Sequence, residues 1–412
     1  MNLVTLITGI VIAMAAIELL LQGMPRMKRD LFNIAMLVSW LGFTSKYYYG
    51  PDVLIYSSIY DTRWGLWDVI IGNYTGGYEI GYVFVNSLCT TCGISFYWMT
   101  AIISTLFFLA VYLVLRRLKD KRVLALAIVL VIMKDLIYAQ LRQCLAVSFF
   151  IFAVLEAEGW RKSGCKGKKS IISAVILGLI AMTMHKSATF IVMLTVFYYV
   201  IQPYKMQKNT WSVLLMILLI LMIIPTWNLI EMMTEVLQLD QMTMDSIRLH
   251  LSYMKLRQTN VLVYGTALLL LTQYSRGQEK RGFAIASVSC GLIVIVMLYQ
   301  YYFIVNRLRF YFAVLIVYYI FDQMRNAAET KAPYVTLVRQ TLEIAVILFL
   351  AGKIYSFDKT SRKEQGDLLE ACTVLDLRDT DAKTLQKRQL DKAQKFWDSA
   401  QRFDDKNLIP KK

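Results

Sequence analysis

A chain of 412 residues that is 57% apolar and 18% charged, with a mean hydropathy of +0.49, holds more apolar side chain than a water-soluble domain can bury. Its net charge of +16 invites a nucleic-acid reading, but the lysines and arginines sit between apolar runs and form no single patch. Composition therefore excludes a soluble globule and a nucleic-acid partner, and leaves an all-α polytopic membrane protein.

A span needs about 20 mostly apolar residues. The first apolar run, 3–22, continues into Met24-Pro-Arg-Met-Lys-Arg29 without a small-residue cleavage site, so it reads as a retained helix and not a removed signal peptide. Further spans are expected at 31–46, 95–115, 123–139, 143–158, 170–185, 187–202, 210–225, 260–274, 282–304, 308–322 and 334–351. The expected bundle therefore has about twelve helices across 1–351, followed by a charged, helical tail over 352–412.

Basic residues mark cytoplasmic loops. Arg26, Lys28 and Arg29 follow the first span, Arg116 to Arg122 the third, and Arg161 to Lys169 the fifth; Lys205 and Lys208, Arg276 to Arg281, and Arg325 with Lys331 continue the alternation. Segments 46–94, 140–142, 185–187, 226–258 and 304–308 then face outward. Those outer segments hold the unusual polar residues: Asp52, Tyr56, Tyr60 and Glu79 in the first, Arg142 at the break in Tyr138-Ala-Gln-Leu-Arg-Gln143, His185-Lys-Ser-Ala188, and Asn306-Arg-Leu-Arg-Phe-Tyr311. A guanidinium at the edge of a lipid-facing bundle costs about 2.5–3.5 kcal/mol at a helix centre on insertion scales, so Arg142 calls for an anionic partner.

Each residue also has a plainer reading. Arg142 can snorkel to headgroups, His185 can be an interfacial residue, Asp52 after Gly50-Pro51 can open a turn or cap a helix, and Glu79 can cap amides where the glycines of Gly76-Gly-Tyr-Glu-Ile-Gly-Tyr82 bend the chain back into the membrane. Segment 226–258, with His250, reads as an amphipathic interfacial helix or a lid over the outer face. Cys89-Thr-Thr-Cys92 has metal-knuckle spacing but neither a second pair nor a neighbouring histidine, and reads as two small packing residues.

The order Tyr49-Gly-Pro-Asp52 with Tyr56 and Tyr60, Tyr78-Glu-Ile-Gly-Tyr82 with Asn86, Leu141-Arg-Gln143, His185-Lys-Ser-Ala188, and Arg307 or Arg309 with Tyr311-Phe312 resembles the EpsG family over about residues 30 to 320. These are multi-pass, Wzy-like polymerases of exopolysaccharide and capsule. The chain departs from the family's pattern before the arginine, where Tyr138-Ala139-Gln140 stands, and in carrying Asp52 without a second adjacent acid, so no carboxylate-bound metal is expected. The resemblance implies a bacterial plasma membrane enzyme that joins repeat units carried on undecaprenyl pyrophosphate, with no cofactor and with other polysaccharide assembly proteins as possible neighbours.

That chemistry sets three demands. A guanidinium fork matches the oxygens of a pyrophosphate leaving group, a role for Arg142 with Arg307 or Arg309 as second clamp. A base must take the proton of the attacking sugar hydroxyl, and His185, Asp52 and Glu79 are the candidates. The glycan needs aromatic faces and short polar groups, for which Tyr47 to Tyr49, Tyr56, Tyr60, Trp64, Trp67, Tyr74 and Gln143 are available. Two rival readings share these features: a polyprenyl-phosphate-dependent glycosyltransferase or glycan ligase, and a polysaccharide flippase. The flippase should show internal repeats and charges lining a path through the membrane, and neither is visible.

Overall fold

A computed structural model describes residues 3–47, 50, 52–74, 78–162, 168–201, 302–327, 333–365, 373, 376 and 381–407. Apart from one antiparallel bridge between Lys46 and Thr373, the described elements are helices. They are α1 (Leu3–Leu20), α2 (Pro25–Thr44), α3 (Val53–Asp61), α4 (Leu66–Ile70), α5 (Ile80–Thr91), α6 (Phe96–Leu115), α7 (Arg122–Ala139), α8 (Leu141–Lys162), α9 (Lys168–Met184), α10 (Lys186–Ile201), α11 (Tyr302–Ala327), α12 (Pro333–Gln365) and α13 (Ala382–Asn407).

Nine expected spans overlap α1, α2 and α6 to α12, but the expected outer turn 304–308 is no break, since it lies inside α11, which runs unbroken from Tyr302 to Ala327, and α12 continues past 351 to Gln365. The expected spans 210–225 and 260–274, nearly all of 282–304, and the outer segment 226–258 with His250 lie outside the described residues. Among the described helices, Leu3–Leu20, Phe96–Leu115 and Gln340–Lys359 are long and apolar enough to cross a membrane. The protein is thus a helical membrane protein, and segment 46–94 differs from a plain loop in carrying the short helices α3, α4 and α5.

The chain divides into two compact units, one of Met1–Phe152, Ile176–Ala188 and Ile316–Lys412, the other of Ala153–Val175 and Thr189–Leu315. In the first, α1 packs against α2, α7 and α12, and α2 packs against α6 and α7. Val4, Ile7, Val11 and Ala15 recur at helical spacing as the buried stripe of α1, while the opposite face keeps Leu6, Ile10 and Ile17 exposed. A helix apolar all round fits lipid on one side and protein on the other. Gly42 lets α2 approach α1 closely, since a Cβ there would lie 2.3 Å from Ile7 Cδ1. Phe32 stacks on Tyr112 at 5.9 Å and Phe43 on Phe108 at 5.6 Å, joining α2 to α6.

The two ends of this bundle are tied differently. At the end holding Arg116 to Arg122, Lys121 adopts a left-handed backbone (φ 58°) ahead of α7 and supplies no side-chain cap. Glu18 of α1 caps instead, one carboxylate oxygen accepting the Val123 and Leu124 amides at 3.1 Å. A carboxylate at a helix N-terminus satisfies orphan donors and meets the positive dipole end. Lys121 pairs with Glu343 of α12 at 2.7 Å, and Lys28 with Asp120 at 2.9 Å. At the opposite end, Lys46 Nζ donates to the Ile137 carbonyl at 2.6 Å, in the last turn of α7.

Candidate functional site

The expected break at 140–142 narrows to one residue, because α7 ends at Ala139 and α8 begins at Leu141. Gln140, at φ −107° and ψ 70°, leaves the helical region, so Arg142 sits in the first turn of α8. His185 separates α9 from α10 in the same way. Glu79 stands in extended conformation at the N-cap position of α5.

These three junctions meet within the first unit. Arg142 Nη1 donates to Glu79 Oε2 at 2.6 Å, and the other oxygen, Oε1, accepts the Lys186 amide at 3.2 Å. One carboxylate thereby bridges the start of α8 to the first amide of α10. The Tyr78 and Tyr56 rings lie 5.5 Å and 5.9 Å from the guanidinium carbon, within cation–π range. Burial pushes the Glu79 carboxyl up, but Arg142, the Lys186 amide and His185 more than offset it and hold the group below the ordinary carboxylate range. Burial pushes the Tyr56 hydroxyl up to about 12 despite the nearby guanidinium, so it stays neutral.

Gly81 makes this meeting possible, and sequence reasoning missed it by treating the glycines of 76–81 as a bend. Gly81 lies inside α5, where a Cβ would fall 2.8 Å from the Thr183 carbonyl oxygen and 2.9 Å from its carbonyl carbon. The backbones of α5 and the end of α9 touch here, two residues before His185. Segment 46–94 read as an outer loop, so a glycine at the second position of α5 gave no local signal of this packing.

His185 caps α10: its carbonyl accepts the Ala188 amide at 2.9 Å, and its Nδ1 accepts the Ser187 amide at 3.2 Å. A backbone N–H pointing at Nδ1 places the ring proton on Nε2 in the neutral form. Nδ1 also lies 2.6 Å from the Ser187 hydroxyl. Asp52 occupies the N-cap position of α3 without a side-chain capping bond, and its charge acts on the Tyr56 hydroxyl.

The glycan candidates separate by exposure. Tyr56 and Tyr60, expected at an open rim, are 5% and 8% exposed; Tyr56 meets Tyr82 edge-on at 5.7 Å, and the Tyr60 hydroxyl donates to the Ile94 carbonyl. Gln143 is buried as well. Trp67 is 70% exposed, and half-buried Trp64 meets Tyr74 edge-on at 6.2 Å. The Tyr74 hydroxyl donates to the Tyr78 carbonyl at 3.2 Å, which ties this open aromatic region to the residue beside Arg142.

Arg307 and Arg309 belong to α11 in the second unit, half-buried, with the Arg309 guanidinium 5.2 Å over the Phe310 ring. Cys89 is a buried free thiol and Cys92 an exposed one. Among the described residues no group of three or more His, Cys, Asp or Glu gathers to hold a metal ion. The profile of the EpsG family matches residues 30–362. No curated protein and no solved structure matches the chain.

Proposed function

Because the chain belongs to the EpsG family, a family of Wzy-like polysaccharide polymerases of exopolysaccharide synthesis, we propose that it joins undecaprenyl-pyrophosphate-linked repeat units at the extracytoplasmic face. The observation that carries this reading is the Glu79 carboxylate, held at once by Arg142 and by the first amide of α10. It is an internal anion in a place built for anions: a guanidinium and a helix N-terminus both favour phosphate oxygens.

The pyrophosphate of the donor takes the place of Glu79 on Arg142, and the developing negative charge of the leaving group is stabilised there. Release from Arg142 removes the main influence holding the Glu79 carboxyl down, so it becomes a better proton acceptor. The acceptor sugar hydroxyl then forms a bond to the anomeric carbon, the bond from that carbon to pyrophosphate breaks, and the hydroxyl proton passes to Glu79. Undecaprenyl pyrophosphate leaves. His185, with Nδ1 engaged in capping, positions α10; Asp52 shapes the charge around Tyr56. Trp67, Trp64 and Tyr74 offer the open faces for sugar rings. The basic loop Arg116 to Arg122 at the far end of the bundle supports an outward site by the positive-inside rule.

Reconstitution with the native lipid-linked repeat unit tests this, reading polymer laddering and release of undecaprenyl pyrophosphate. Arg142→Ala should abolish both while the protein stays folded. Full-length polymer from that variant, or transfer of a single sugar with release of a monophosphate, would overturn the proposal.

A further inference from the structure

The tail beyond α12 has no role in the chemistry above, yet it returns to the site end of the first unit. Glu343 of α12 pairs with Lys121 at the far end, and fourteen residues on Phe357 lies under the Lys134 ammonium at 4.1 Å, in the site half of α7. The helix therefore runs toward the site. Beyond it, Thr373 bridges to Lys46, whose amine bonds the last turn of α7 beside Gln140. Asp381 Oδ1 accepts the Lys383 and Thr384 amides at 3.0 Å and starts α13.

α13 then packs on α3, the helix that presents Tyr56 to Arg142. Its buried residues Leu385, Gln389 and Ala393 recur every four positions, and Leu385 meets Tyr47, against which Tyr97 also packs. The other side of α13 exposes Lys383, Lys387, Arg388 and Lys395, with Asp391 as the acid among them. Amphipathic helices with basic polar faces commonly lie in bilayers through their apolar side. Here that side is spent on α3 and Tyr47, so the basic face is turned to water and fits a water-borne polyanion better than a membrane.

We propose that α13 is an extracytoplasmic guide for the polymer, its exposed basic face beside the site binding an acidic glycan chain. The sidedness and the glycan partner rest on the polymerase reading; the binding itself is measured without it. Opposite charge raises the local concentration of the chain at the site and makes the contact salt-sensitive.

Two measurements on the full chain decide it. In intact cells, Lys387→Cys in a Cys92→Ser/Cys372→Ser background should react with a membrane-impermeant maleimide and the background alone should not; reaction only after the membrane is opened would overturn the proposal. Purified protein in detergent should bind immobilised alginate, a polyuronate, in a salt-dependent manner, and not neutral dextran. Lys383→Gln/Lys387→Gln/Arg388→Gln/Lys395→Gln should weaken alginate binding at least ten-fold and shorten polymer ladders while leaving the first transfer intact. Equal alginate binding by both proteins, equal capture of dextran, or loss confined to phosphatidylglycerol vesicles would overturn it. A protein that binds alginate but makes no polymer refutes the site's assignment alone, and an active protein that fails to bind refutes the guide alone.

Discussion

Gly81→Ala is the sharpest test of how the site is assembled. The new Cβ would sit 2.8 Å from the Thr183 carbonyl oxygen, where ordinary contact begins at 3.4 Å. Backbone cannot swing aside as a side chain can, so α5 must retreat from α9 by about 0.6 Å. The same retreat stretches the 3.2 Å bond from the Lys186 amide to Glu79 to about 3.8 Å, beyond hydrogen-bonding range. Overpacking of this kind costs about 1–3 kcal/mol, and a catalytic group misplaced by about an ångström can lose on the order of 10²-fold in rate. Thermal unfolding in detergent should show a lower midpoint, and laddering should fall by a similar order. Thr183→Ala in the same chain removes the 2.4 Å contact to Oγ1 but leaves the carbonyl in place, so it should restore only part. If Gly81 merely allowed a bend, alanine would gain up to about 1 kcal/mol of helix stability; a variant as stable as wild type with full activity refutes the close-packing argument.

Glu79→Gln keeps the shape of the bridge but removes its charge, and should cut polymer formation about 10²-fold or more, as expected for loss of a general base; unchanged laddering would remove Glu79 from the chemistry. The same pair gives a pH signature. The Glu79 carboxyl is held below its ordinary range in the folded state, so its stabilisation is fully present above about pH 4.3 and is lost as pH falls through the lower folded value. The melting difference between wild type and Glu79→Gln should be constant at neutral pH and disappear on acidification. Lys121→Met strands the buried Glu343 carboxylate and should cost about 3–5 kcal/mol, seen as a lower thermal midpoint, and Lys121→Met/Glu343→Met should recover most of it. Trp67→Ala, which removes an exposed ring, should raise the repeat-unit concentration needed for half-maximal rate with little change in the first-turnover rate at saturation.

Hydrophobic runs and basic clusters are one-dimensional signals, so nine of the described helices overlap the spans that apolar length placed, though α12 runs on past 351 to Gln365 and α3 to α5 stand where an outer loop was expected. Arg142, Glu79 and His185 were also legible, as rare polar residues at the ends of apolar runs. Their partners were not. That Arg142 and Glu79 neutralise each other across 63 positions in the chain, and that His185 turns its Nδ1 to its own helix, depend on how junctions meet in space. Tyr56 and Tyr60 carry the composition of a sugar platform, yet packing against Tyr82 and Phe96 buries them.

Sequence alone determined that this chain is a helical membrane protein and which residues break its apolar runs, because the bilayer penalises each misplaced polar group where it stands. Only the tertiary structure decided which of those groups face one another. Gly81, Thr183 and Lys186 carry no chemical signal of their own, and their importance comes from a backbone approach so close that a Cβ added at Gly81 would lie under 3 Å from the Thr183 carbonyl, which no local pattern encodes. The position of the tail followed from the same kind of long-range contact, between Lys46 and Thr373.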